Sequence, residues 1–111
     1  MKLTNKTQYN NRELKQLMTE IFASEGVVHT GYEVTVVYCR TGLSGRAGIG
    51  KKWIRMRLPK ESCSLRLFTD VFIHEIMHTL GMRHERNGLM SCHYDPKDYA
   101  DDTEKLQEVR R

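Results

Sequence analysis

The chain has 111 residues, 39% of them hydrophobic and 29% charged, and its 18 Lys and Arg against 14 Asp and Glu leave a formal charge of +4. That length suits one ordinary domain and excludes a catalytic domain joined to separate regulatory ones, so an active site must share residues with a single modest core. The mild basic excess permits an acidic partner without requiring one. Cys39, Cys63 and Cys92 are odd in number and irregularly spaced, which excludes a disulfide framework and reads as three buried free thiols. The opening MKLTNKTQYNNRELKQ has no apolar core of signal-peptide length, and no run approaches a membrane span. A cytoplasmic chain, or a processed form of a secreted one, is expected, with no membrane partner.

In chain order, Leu14, Leu17, Met18, Ile21 and Phe22 recur at helical spacing and predict an amphipathic helix over Asn11 to Glu25, with Gly26 as its stop. EVTVVYC, Glu33 to Cys39, predicts a strand apolar enough for burial on both faces. TGLSGRAGIG holds four glycines and reads as a loop or a short, bulged strand. In KKWIRMRLP, Ile54, Met56 and Leu58 alternate with Trp53, Arg55 and Arg57, the period of a strand with one apolar face, and Pro59 ends it. Ser62 or Ser64 can cap the next helix, where Leu65, Phe68, Phe72, Ile76 and Leu80 share a face. From Asp95 to Arg111 an Asp-Pro start, with Asp101, Asp102 and Glu104 ahead of Arg110 and Arg111, predicts a C-terminal helix anchored by Tyr99, Leu106 and Val109. The sum is an α+β chain: a small mixed sheet with N-terminal, central and C-terminal helices.

The central helix carries the chemistry. Residues 74–85 read HEIMHTLGMRHE, which contains the spacing H-E-x-x-H-x-x-G-x-x-H. His74 and His78 stand one helical turn apart, so both imidazoles leave the same face and can reach one metal ion. Glu75 lies beside the pair and can reach a water at the metal without being a ligand. A glycine at position 81 lets the helix stop in a sharp turn that brings His84 round as third ligand. Three neutral imidazoles leave a fourth position open, the arrangement of a catalytic zinc site, with one Zn²⁺ per chain. His29 and His93 have no such partners and read as solvated loop histidines.

The motif in its helical context resembles the metzincin clan of zinc metallopeptidases, and HEIMHTLGMRHE is especially similar to the astacin version, in which a Glu also follows the third His. GLMSCHY supplies Met90 as the match to the clan's methionine turn, and YADDTEKLQEV is similar to a matrixin-type C-terminal helix. The resemblance covers about Leu65 to Val109. It implies a zincin-like fold with an upper subdomain over about 1–81 and a lower one over about 82–111. It also implies peptide-bond hydrolysis by a zinc-bound water, with His74, His78 and His84 on the metal and Glu75 as general base. KKWIRMRLP sits where the clan's cleft strand would be, which nominates Trp53, Ile54, Arg55 and Met56 as contacts to an extended peptide substrate. Astacins and serralysins place a Tyr two residues after the Met; here that position is Cys92, and Tyr94 lies four after Met90.

From Val34 to Lys60 there are seven basic residues and no acidic one. A solvated face, preference for an acidic peptide, and contact with nucleic acid all fit that run. The last would make the chain similar to SprT-like DNA-associated proteases, which also carry HExxH on a small zincin domain. A further alternative is a non-catalytic zinc module closed by Cys92 as fourth ligand. In that case Glu75 would have no use.

Overall fold

Four strands form the main sheet in the order β1 (Lys2–Asn5), β2 (Glu33–Tyr38), β4 (Trp53–Leu58) and β3 (Ser44–Ala47) in this computed structural model, which describes residues 1–84, 96–99 and 101–109. The first three strands are parallel and β3 runs antiparallel along β4. Parallel neighbours need a crossover connection, and α1 (Asn11–Ser24) supplies it between β1 and β2. Helix α1 begins where the Asn10 side chain accepts from Glu13 N–H, and the chain leaves it through Gly26 at φ +68°.

Helices α1 and α2 (Leu65–Thr79) cover one face of the sheet. Val34 and Val36 of β2 and Ile54, Met56 and Leu58 of β4 point into that layer and are buried. They meet Leu14, Met18 and Phe22 from α1 and Phe68, Phe72 and Ile76 from α2. Phe22 lies edge-on to Phe72 with ring centres 5.4 Å apart, which locks the helices together over the sheet. No described element covers the opposite face: Trp53, Arg55 and Arg57 are exposed, and Thr35 and Val37 are half-buried. Strand β2 is thus buried on one face, where its composition had suggested two.

Two expectations need correcting. KKWIRMRLP is an interior strand, because β4 is paired on one side with β2 and on the other with β3. Its backbone is paired on both sides, so Trp53, Ile54, Arg55 and Met56 cannot pair with a substrate strand; the outer strands of the sheet are β1 and, next to β4, the glycine-rich β3, which pairs with β4 alone among the described residues. Alternation identifies a half-buried strand equally well in the middle of a sheet or at its rim, which is why the sequence misleads here.

The C-terminal helix is also absent from the described residues. Pro96–Tyr99 form one 3₁₀ turn, and Lys105–Gln107 form β6, antiparallel to β5 (Ser62–Ser64) with Leu106 opposite Cys63. The acidic residues that looked like the first turn of their own helix serve another one. Ser64 caps α2 by accepting from Leu67 N–H, while Asp102 accepts from the Ser64 hydroxyl and from Arg66 N–H. Asp102 is held below the ordinary carboxylate range by those donors, the Ser64 hydroxyl first. Residues 102–107 are therefore drawn out along the start of α2. Strands β1, β5 and β6, at three or four residues each, are too short to show a period in the sequence. No helix among the described residues is long and apolar enough to cross a membrane.

Candidate metal centre

Helix α2 buries two faces at once. Phe68, Phe72 and Ile76 enter the core, and Val71, His74, Glu75 and His78 turn toward β3 and are also buried. A helix placed in this way can carry polar groups deep in a small protein only where a cleft receives them. That cleft holds about 670 Å³ and lies between α2 and the edge strand, with Gly45, Arg46, Trp53 and the three histidines among its walls.

The helix ends in the expected glycine turn. Leu80 is the last cap residue, Gly81 takes φ +98°, Gly81 N–H donates to His78 O, and Met82 N–H donates to Met77 O. This is a Schellman motif, and it reverses the chain within a few residues. Gly50, just past β3, also donates to His78 O, which ties the helix end to the sheet edge. Tyr32 O–H donates to Thr79 Oγ1 at 2.7 Å, because that hydroxyl already donates to Ile76 O.

The turn brings His84 onto the pair presented by the helix. His78 Nε2 lies 3.0 Å from His74 Nε2 and 3.1 Å from His84 Nε2, and ligand atoms of all three residues lie within 4.8 Å of one another. A tetrahedral ion with metal–nitrogen bonds of about 2.0–2.1 Å separates its ligands by roughly 3.3 Å, so the observed spacing is close to what such an ion requires. The tautomer of His78 points the same way. Its Nδ1 lies 2.7 Å from the Met82 carbonyl, which only accepts, so Nδ1 carries the proton and Nε2 offers a lone pair to the centre. The three histidines are positioned to hold a metal ion; an all-imidazole set is compatible with zinc and does not single it out.

Glu75 is one residue from the first ligand and 5% exposed. Burial pushes its carboxyl up to about 7. Its neighbour across the cleft is Gly45, where a Cβ would lie 2.8 Å from Glu75 Cγ. The glycine lets the β3 backbone close over the carboxylate.

Of the residues nominated from sequence, His74, Glu75, His78 and His84 converge. Trp53 lines the mouth of the cleft, whereas Ile54 and Met56 are in the core and Arg55 stands on the open face. Met90, Cys92, His93 and Tyr94 lie outside the described residues. Cys39 and Cys63 are buried free thiols, as expected. His29 is half-buried, with Nδ1 3.2 Å from the N-terminal ammonium. Sequence reasoning missed Gly45 and Met82. The cluster of four glycines signalled a close backbone approach for the first, while the second acts through a carbonyl that every residue has.

Comparisons with protein families, curated proteins and solved structures find no match.

Proposed function

We propose that the chain is a zinc-dependent endopeptidase of metzincin type. The single observation that carries this reading is the placement of Glu75: a buried carboxylate beside, and outside, the three-histidine cluster, in a cleft bordered by an outer strand of the sheet. A structural zinc site has no use for a general base, and a carboxylate buried beside the ligands costs desolvation that proton transfer would justify.

His74, His78 and His84 would hold the metal, which when bound supplies Lewis-acid activation of water and of the substrate carbonyl. The chain's own residues do the rest. Glu75 takes a proton from the attacking water at its carboxylate and delivers it to the departing amide nitrogen. The His78 ring is held in one tautomer by the Met82 carbonyl. The outer edge of β3, unpaired among the described residues, would offer backbone N–H and C=O groups to an extended peptide, and Gly45 keeps that edge close to Glu75. The exposed Arg46, on the same strand and on the cleft wall, favours a substrate with acidic side chains.

The test compares the wild-type chain with Glu75→Ala. Both are expected to carry one zinc, and only the wild type cleaves an unstructured protein substrate. A wild type that holds zinc and cleaves nothing, with a cobalt-substituted form showing thiolate absorption, would establish a closed structural site instead.

A further inference from the structure

We infer that the open face of the main sheet is a binding surface for single-stranded polynucleotide, separate from the metal cleft and meeting it at Arg46. The strand register builds this face row by row. Arg46 of β3 stands directly opposite Arg55 of β4, with Thr35 of β2 next in line. In the adjoining row Arg57 stands opposite Ser44. Beyond Arg55 on the other side is Trp53, whose indole lies over the bare backbone of Gly48; a Cβ there would fall 2.4 Å from Trp53 Nε1. Arg46, Arg55, Arg57 and Trp53 are all exposed. The one acidic side chain that the strands place on this face is Glu33, at the end of β2 opposite Trp53.

Two guanidiniums in direct cross-strand register repel, and a third stands two residues further along β4, roughly 6.6 Å away by the rise of a strand. Such an arrangement lowers stability unless an anion with several regularly spaced charges lies across it. Guanidinium forks match phosphate oxygens in pairs, and intervening hydroxyls donate to the same groups. The aromatic plane of Trp53, at the end of the line that Arg57 and Arg55 form along β4, suits a base, which stacks whatever its identity.

An acidic polypeptide fits less well. Extended peptides dock on sheets through backbone hydrogen bonds, and these charges stand on the face of β4, a strand that already has partners on both sides. The outer edge of β3, where a peptide would pair, borders the cleft. Arg46 and Trp53 border both the cleft and the shallow groove on the open face, so a bound strand would lie alongside the substrate channel.

Trp53 is the only tryptophan in the chain, so its fluorescence reports stacking directly. The full chain is titrated with short oligothymidylate and oligouridylate over a series of salt concentrations. Both are expected to bind and quench Trp53, with log affinity falling against log salt at a slope near −2, about 0.7 for each of three phosphate contacts. Inorganic polyphosphate should bind without quenching. The double variant Arg55→Glu, Arg57→Glu should bind at least about tenfold more weakly with a slope shallower than about −1, and circular dichroism verifies its fold. Arg55→Gln, Arg57→Gln serves as a milder form should the reversal disturb folding. Absence of binding at low salt, affinity unchanged in both variants, or competition by polyglutamate equal to that of the oligonucleotides would overturn the proposal, the last by assigning the face to acidic polypeptides. None of these readouts depends on hydrolysis, so they stand apart from the test of the metal centre.

Discussion

Gly45 and Glu75 are in contact across the cleft: a Cβ on the glycine would lie 2.8 Å from Glu75 Cγ and 2.9 Å from Oε2. Glu75 is the far end of a side chain and gives way more readily than the β3 backbone, so Gly45→Ala should rotate the carboxylate off its position. A displacement of about 1 Å at a reacting group costs on the order of 100-fold. Peptide cleavage by Gly45→Ala should fall by about that factor in kcat/KM while zinc content stays at one per chain. Undiminished cleavage would mean that β3 does not position Glu75.

Gly81 holds φ +98° at the end of α2, a conformation that costs a non-glycine residue roughly 1–2 kcal/mol. The same turn sets the Met82 carbonyl against His78 and brings in His84. Gly81→Ala is therefore expected to weaken metal binding by about tenfold, equivalent to about 1.4 kcal/mol, in competition with a chromophoric chelator. Gly26 at φ +68° ends α1 away from the site. Gly26→Ala should lose comparable stability and keep full metal affinity, which separates strain in general from strain at the centre.

A ligand that binds only the folded chain stabilises it by mass action, about 2.7 kcal/mol at a hundredfold excess over Kd. For a domain of this size that raises Tm by roughly 10 °C or more. Zinc should produce such a shift in the wild type and a strong chelator should reverse it. His84 is exposed, so His84→Ala should match the metal-free wild type in Tm and lose most of the zinc-dependent rise. A full shift in His84→Ala would remove that residue from the ligand set.

Burial pushes the Cys63 thiol from an ordinary 9.0 up to about 11. The folded chain then holds this proton more tightly than the unfolded chain does. Its contribution to stability is complete below about pH 9 and is lost as pH rises through about 11, on the order of 2 kcal/mol in all. Cys63→Ala should show a smaller loss of stability than the wild type over that interval in urea unfolding, because the other alkaline groups titrate in both. Parallel losses would show that Cys63 does not govern the alkaline limb.

The local features of this protein are legible in its residues. The period of α1 and α2, a serine cap at Ser62 or Ser64, the glycine turn at Gly81 and the intervals between His74, Glu75, His78 and His84 all depend on residues a few positions apart. Helix geometry converts such intervals into positions directly. Tertiary structure decided what depends on distant partners. Strand β4 lies inside the sheet because β2 and β3 pair with its two sides, and nothing in WIRMRL distinguishes an edge from a middle. Asp102 serves the start of α2 instead of a helix of its own because Ser64 and Arg66, far back in the chain, offer it donors. The basic run showed its form only when register set Arg46 against Arg55 on one open face. Pairing energy is shared between strands, so neither strand's sequence holds it alone.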